Sequence, residues 1–161
     1  MYLLCVILGL VFATFVVECV LVHVLSSWYI PNLLIILVVF FNLYRGTRYS
    51  LVAGILAGLF KDSFSAGPFG LYTFAFIIAV FFTTLMKMYI YQPGVMASRI
   101  LLVFIVTIGY VTTYWIIQLM FTSLAFPSVF LYILVPEVGL TTLIAPVAFK
   151  KYRQCALRLF A

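Results

Sequence analysis

Residues 2–24, YLLCVILGLVFATFVVECVLVHV, decide the fold class of this protein. The stretch holds one acidic residue, Glu18, and no lysine or arginine. As an α-helix it would extend roughly 34 Å at 1.5 Å per residue, enough to cross a hydrocarbon core of about 30 Å. It lacks the positively charged start of a secretory signal peptide and is longer than the apolar segment of one. We therefore expect a retained transmembrane helix.

The composition of the whole chain agrees with that stretch. The 161 residues are 68% hydrophobic and 7% charged, whereas soluble domains are about half apolar and a quarter charged. Lipid must therefore act as the outer solvent, and every backbone polar group needs a partner within the protein. Long apolar runs favour helices over the alternating pattern of a membrane β-barrel. We predict an all-α fold, a polytopic membrane helical bundle that forms one integral membrane domain over residues 1–161.

Short polar or glycine- and proline-rich segments divide the apolar runs into about six predicted transmembrane helices. The segment 63–70, SFSAGPFG, is not typical of a helix interior, and we expect it to dip into the membrane. A five-helix alternative merges or loses the third run and is the second choice. The predicted helices are residues 2–24, 32–44, 47–62, 71–91, 97–121 and 127–149, followed by a basic cytoplasmic tail at 150–161.

Lysine and arginine are distributed unevenly between the predicted loops. With both termini in the cytoplasm, only Lys61 lies on the outer side of the membrane. Cytoplasmic loops carry an excess of these residues, so we predict a multi-pass protein with both termini inside. The net charge of +6 follows from these loops and does not indicate nucleic-acid binding. The basic residues placed inside are Arg45, Arg48, Lys87, Arg99, Lys150, Lys151, Arg153 and Arg158.

One face of the third predicted helix carries small and polar residues. Ser50, Gly54, Gly58 and Asp62 recur every four residues, which places them on one side of the helix. Small residues let two helices approach closely in a membrane. The strip Ser50/Gly54/Gly58 is therefore a candidate for binding the helix of a partner protein. The alternative is internal packing against another helix of the same bundle.

Two acidic residues within predicted membrane segments are further candidates, because buried acids are costly and usually face the protein interior or water. Asp62 is either a ligand contact or, with Ser63 and Ser65, a cap for free backbone N–H groups at the break before the fourth helix. Glu137 follows Pro136 in the last helix. It is either a functional residue or a group hydrogen-bonded inside the bundle.

The polar inventory is small for an enzyme. The chain has three acids and one histidine, and it contains no nucleophile–base or phosphate-binding motif. Glu18 and His23 do not share a helix face and are expected near water. Cys5, Cys19 and Cys155 form neither a disulfide framework nor a metal-binding spacing. We expect no catalytic activity, cofactor or metal.

A dense motif lies in the centre of the chain, within residues 30–85. It comprises Pro31-Asn32, the aliphatic run 33–40, Arg45-Gly46 and the pattern Gly54-x-x-x-Gly58-x-x-x-Asp62-x-x-Ser65-x-Gly67-Pro68-x-Gly70. This pattern resembles the MreD family of rod shape-determining proteins, and the chain length, helix number and basic tail are similar as well. Lys61 is a departure, since the family often has an aliphatic residue there. The resemblance makes Asp62, Ser65, Gly67 and Gly70 structural or ligand-binding candidates, and Glu137 is a candidate of the same kind because of its position in the last helix.

The resemblance implies a non-enzymatic scaffold of the bacterial inner membrane, within the machinery that elongates the cell wall. The implied partners are MreC, together with MreB and the wall synthases RodA and a penicillin-binding transpeptidase. Because the predicted loops are too short to form a recognition domain, we expect MreC to be bound within the membrane. The lipid bilayer is the remaining expected contact, and no nucleic acid is expected.

A second similarity leaves an alternative function. The family is similar in helix plan to the substrate-binding S-components of energy-coupling-factor vitamin transporters, so a small-molecule-binding subunit stays possible. Such a subunit needs polar or aromatic ligands on its outer loops. The predicted outer loop at 122–128, TSLAFPS, is short and uncharged, which favours the scaffold.

Overall fold

Six α-helices make up the described part of the chain, as the sequence predicts. The structure is a computed structural model and describes residues 2–25, 31–65, 67–92, 95–121 and 127–160. Most of the loop predicted at 122–128 lies outside the described residues. The helices are α1 (Tyr2–Leu25), α2 (Leu33–Tyr44), α3 (Thr47–Phe64), α4 (Leu71–Ile90), α5 (Met96–Phe121) and α6 (Pro127–Phe160).

Three stretches of the described helices are long and apolar enough to cross a membrane. They are Cys5–His23 in α1, all of α4, and Met96–Met120 in α5. α2 is apolar but has only 12 residues, roughly 18 Å of helix. The protein is therefore an all-helical membrane bundle in which some helices are shorter than a full span. The likeness to S-components stays a prediction.

The short helix α2 is the centre of the bundle. It contacts each of the other five helices, and its residues from Leu33 to Leu43 are buried. In this apolar surrounding a helix satisfies its own backbone groups, so the β-branched residues of α2 do not prevent helix formation. The helix ends at Tyr44, and Gly46, two residues later, has a φ of 95° in the left-handed region that favours glycine. Lys87 Nζ donates to the carbonyl oxygens of Asn42 and Leu43 at 3.0 and 3.4 Å, where a cation also stabilises the helix dipole.

Packing contacts define two ends of the bundle. α1, α3 and α5 begin at the near end, where the chain starts, and α2, α4 and α6 begin toward the far end. Phe15 on α1 stacks on Phe60 of α3, consistent with parallel helices. Tyr72 at the start of α4 stacks on Tyr114 late in α5, at a ring-centroid distance of 4.6 Å, consistent with antiparallel helices.

The last helix is longer than the sequence predicted. We expected it to end at residue 149 and to be followed by a basic tail, but α6 continues to Phe160. Residues 150–160 contain lysine, arginine, glutamine, alanine and leucine, which are good helix formers, and no glycine or proline. The basic residues therefore lie on the helical extension of α6, because charge alone does not end a helix.

Candidate functional site

The acidic residues of the chain meet other helices inside the bundle. We use the name polar centre for Glu18 of α1, Asn32 before α2, Lys61 of α3, Tyr110 of α5 and Glu137 of α6. Glu18, Asn32 and Tyr110 are buried, at 4%, 1% and 3% exposure. An ionisable group in a membrane protein interior needs a partner or a function. The polar centre is therefore the candidate functional site.

The start of α2 lies inside the bundle, which explains much of the polar centre. α1 continues through residues 19–25 beyond Glu18, roughly 10 Å of helix. The first N–H groups of a helix have no partner within it, and at this depth they cannot rely on bulk water. Other parts of the chain must supply acceptors for these N–H groups.

Four acceptors satisfy these N–H groups. The backbone N–H of Asn32 donates to Thr141 Oγ1 at 2.9 Å, and that of Leu33 donates to the carbonyl oxygen of Pro31 at 3.1 Å. The N–H of Leu34 donates to Glu18 Oε2 at 3.2 Å. The N–H of Ile35 donates to Asn32 Oδ1 at 3.3 Å, so Asn32 caps its own helix. A carboxylate at this end also interacts favourably with the helix dipole.

Glu18 is joined to α3 by an ion pair. Lys61 Nζ lies 2.8 Å from Glu18 Oε1, and the two side chains are 17% and 5% exposed. The ammonium also lies 5.7 Å from the ring centre of Tyr72 and 6.0 Å from that of Phe76, within the range of cation–π attraction. We expected Glu18 near water, and this was wrong, because its position on α1 faces α2 and α3 rather than the membrane surface.

The remaining members of the polar centre surround Asn32. Asn32 Nδ2 donates to Glu137 Oε1 at 3.1 Å, so Glu137 is hydrogen-bonded inside the bundle. The hydroxyl of Tyr110 is buried and has no hydrogen-bond partner among the residues that the structure describes. Whether Glu137 has any role beyond this bond stays a prediction.

Asp62 lies next to Lys61 but serves the start of another helix. Its carboxylate accepts hydrogen bonds from the backbone N–H groups of Tyr72 and Thr73, both at 3.0 Å, and from the Thr73 hydroxyl at 2.6 Å. This is the capping arrangement predicted for Asp62, at the first turn of α4. Ser63 does not take part as predicted, because its hydroxyl donates to the carbonyl oxygen of Leu59 within α3. Asp62 thus accepts hydrogen bonds from the backbone at the start of α4, as Glu18 does at the start of α2.

The other motif residues build the connection between α3 and α4. Ser65 ends α3, and its backbone N–H donates to the carbonyl oxygen of Asp62 at 3.3 Å. Its hydroxyl oxygen accepts from the N–H of Gly67 at 3.1 Å. Gly70 precedes α4 with a φ of 96°, which favours glycine at this position. These contacts are structural, and ligand binding by these residues stays a prediction.

The small-residue strip of α3 is covered within the chain. Ser50 Oγ donates to the carbonyl oxygen of Val38 on α2 at 2.9 Å. Gly54 and Gly58 face α4, and a Cβ added at Gly58 would lie 2.3 Å from Thr73 Cα. The strip therefore makes the close internal crossing that was the alternative interpretation. Partner binding through Ser50, Gly54 and Gly58 stays a prediction that would require α4 to move.

Sequence reasoning missed Asn32 and Tyr110 as members of the site and missed the pairing of Lys61 with Glu18. One signal was available. Lys61 is the only basic residue that the predicted topology leaves outside, and Glu18 is an acid in an otherwise apolar helix. Two such isolated opposite charges are expected to pair in a membrane protein.

The acidic residues have a structural role in this arrangement. Glu18 and Asp62 accept hydrogen bonds from the first residues of α2 and α4, and Glu18 also binds the ammonium of Lys61.

A protein-family model described as rod shape-determining protein MreD matches residues 1–153 of the chain. The match extends well beyond the central motif and includes every residue of the polar centre. Neither the curated proteins nor the solved structures gave a significant match.

Proposed function

The chain belongs to the MreD family of rod shape-determining proteins, and from this premise we propose that it is a non-enzymatic membrane scaffold that binds MreC within the membrane. In this role it supports the cell-wall elongation machinery of the bacterial inner membrane, alongside MreB and the wall synthases. Rod shape determination follows from the family. The scaffold mechanism and the partners are our proposal.

The proposal rests on the contacts that the three acidic residues make between helices. Glu18 binds Lys61 and the start of α2, Asp62 binds the start of α4, and Glu137 binds Asn32. Each contact holds one helix against another. Substrate paths through membranes usually use chains of acidic and histidine residues that face a cavity. Here the acids instead hold helices together, which suits a protein that presents helix faces to a partner.

The face of α1 that points away from the bundle is the contact surface we propose for MreC. α1 packs mainly against α2 and α3, and Cys5, Gly9 and Ala13 are exposed at intervals of four residues. A Cβ added at Gly9 would meet nothing within 4 Å. Small residues at this spacing permit the close helix crossing on which membrane association depends. Unlike the strip on α3, this face has no occupant within the described chain.

The test is copurification of the full chain with MreC from membranes. We expect a stable complex that survives deletion of the periplasmic part of MreC but not replacement of its transmembrane helix. Gly9→Leu should weaken the complex about tenfold or more, since a bulky side chain separates the helices. Gly139→Leu is the matched control, because a Cβ at Gly139 on α6 also meets nothing within 4 Å.

Two results would contradict the proposal. A complex that depends only on the periplasmic part of MreC would place the contact outside the membrane. Tight binding of a vitamin-like molecule by the chain alone, without MreC association, would favour the transporter-subunit function. Weakening by Gly139→Leu but not by Gly9→Leu would keep the scaffold and move the contact from α1 to α6.

A further inference from the structure

A cleft opens beside the polar centre, between α1, the end of α3 and the start of α4. Its volume is about 270 Å³, large enough for a small headgroup or a single large side chain and too small for a helix. It lies where α3 ends and the connection to α4 begins. The lining residues are Phe15, Glu18, Cys19, Val22, Lys61, Phe64, Ser65 and Tyr72.

The ammonium of Lys61 has N–H donors that can bind a ligand in this cleft. An ammonium has three N–H donors, and the described part of the chain supplies one acceptor, Glu18 Oε1. Lys61 is also the more exposed partner, at 17% against 5% for Glu18. Donors left without acceptors in an apolar surrounding are unfavourable. An oxyanion in the cleft would supply the missing acceptors.

Glu18 is not free to receive a cationic ligand. Its Oε1 binds Lys61, and its Oε2 accepts from the backbone N–H of Leu34. Ser65 adds a second donor at the wall of the cleft, because its oxygen accepts from Gly67 and its hydroxyl proton has no acceptor among the residues that the structure describes. The cleft therefore offers N–H and O–H donors to an anion rather than acceptors to a cation.

The rest of the cleft is apolar and continues onto the outer surface of the bundle. Phe15, Val22 and Phe64 line it, and Phe64 is 75% exposed. On the adjoining face of α1, Phe12 and Val16 are exposed at 54% and 43%. A soluble anion would leave these surfaces uncovered. A ligand with an anionic head and a hydrocarbon tail would match both parts.

We propose that this cleft binds the phosphate of a membrane phospholipid. Lys61 and Ser65 donate hydrogen bonds to phosphate oxygens, and one acyl chain lies against Phe64 and the exposed face of α1. Charge-assisted hydrogen bonds of this kind are stronger than neutral ones. The proposed function is not a premise of this site, because the site requires only the chain and a lipid, although the acyl chain lies on the same face of α1 that we propose for MreC.

Native cysteines provide the test. Cys19 lines the cleft, whereas Cys5 is exposed on the same helix outside it. The full chain, with Cys155→Ser, is alkylated with N-ethylmaleimide in detergent, and the rate at each cysteine is measured by mass spectrometry. Phosphatidylglycerol at about ten times its Kd should slow alkylation of Cys19 about tenfold and leave Cys5 unchanged. Diacylglycerol with the same acyl chains should have no effect.

Three variants test the donors. Ser65→Ala keeps the Lys61–Glu18 ion pair and removes one donor, so it should raise the lipid concentration needed for half-maximal protection about tenfold. Lys61→Met should abolish protection, and Lys61→Arg should restore it. The Ser65 variant keeps the test valid if Lys61→Met does not fold.

Four results would overturn the proposal. Equal protection by diacylglycerol would show that only the apolar walls bind. Equal slowing at Cys5 would show a general micelle effect. Protection by glycerol 1-phosphate alone, at the same concentration, would identify a soluble anion as the ligand. Protection of Cys19 by MreC but not by phosphatidylglycerol would assign the cleft to a partner side chain.

Discussion

Lys61 of α3 and Glu18 of α1 form an ion pair of 2.8 Å that connects two helices which are distant in the sequence. Glu18 also accepts the N–H of Leu34, so the pair joins α1, α2 and α3 at one point. Because the pair is largely buried, each charge depends on the other for its stability in the folded protein. The start of the central helix is thus coupled to the end of α3.

Removal of the cation should destabilise the fold strongly. Lys61→Met leaves the Glu18 carboxylate buried without its ion pair, and loss of one member of such a pair typically costs about 3–5 kcal/mol. The free energy of unfolding in detergent measures the effect. Lys150→Met removes an exposed lysine on α6 and should change stability by less than about 0.5 kcal/mol.

A double variant separates the pair from other effects of the substitution. Glu18→Gln with Lys61→Met removes both charges and should be more stable than Lys61→Met alone, since no unpaired charge remains. If the effects of the two single variants simply add, the ion pair does not couple the helices.

The cap of α4 provides a second prediction. Asp62→Ala removes the acceptor of three hydrogen bonds from Tyr72 and Thr73, and should lower the free energy of unfolding by about 2 kcal/mol. Asp62→Asn keeps a side-chain oxygen and should lower it less. Ser63→Ala is the control, because its exposed hydroxyl bonds only within α3. Equal stability of the two Asp62 variants would argue against the carboxylate as the cap.

The sequence predicts where the helices of this protein begin and end better than it predicts which helices contact each other. An apolar run of sufficient length is helical in a membrane whatever surrounds it, so α1, α4 and α5 are found near their predicted limits. The central position of α2 was not predictable, because leucine, isoleucine and valine are equally suited to lipid and to a protein interior. Hydropathy therefore does not distinguish a short helix that is buried in the bundle, such as α2, from a helix that is exposed to lipid.

The same limit applies to the candidate site. The spacing of Gly54 and Gly58 predicts a close helix crossing, and the structure has one, but the spacing does not say which helix makes it. Asp62 could be predicted as a cap because the break before α4 is local in sequence. The contacts of Glu18 and Glu137 join residues on different helices, so they require the tertiary fold.

Three glycines should tolerate alanine to different degrees. At Gly58 the new Cβ would lie 2.3 Å from the backbone of Thr73, so α3 and α4 must separate, at a cost of about 1–3 kcal/mol. At Gly54 the nearest atom is a methyl group of Val80 at 3.0 Å, so a smaller cost is expected. At Gly9 nothing lies within 4 Å, and Gly9→Ala should be neutral or slightly stabilising.

Thermal unfolding of the three variants in one detergent gives the comparison. The order of stability should be Gly9→Ala, then Gly54→Ala, then Gly58→Ala. A Gly58→Ala protein as stable as the unmodified chain would contradict the close packing of α3 on α4.

The final prediction concerns orientation in the membrane. The near end of the bundle carries most of the basic residues, including Arg48, Lys150 and Arg153, and such residues mark the cytoplasmic side. Cys155 is exposed on the same basic extension of α6. In a variant with Cys5→Ser and Cys19→Ser, a membrane-impermeant maleimide should label Cys155 only after the inner membrane is permeabilised.

A matched position at the far end provides the control. Phe69 is 72% exposed beside the start of α4, so Phe69→Cys, in a chain without the three native cysteines, should be labelled in intact cells. The two variants must give opposite patterns if the bundle crosses the membrane as predicted. Labelling of Cys155 in intact cells, with protection at position 69, would reverse the orientation. It would also place the Lys61 cleft on the cytoplasmic side, since that cleft lies next to Ser65 at the far end.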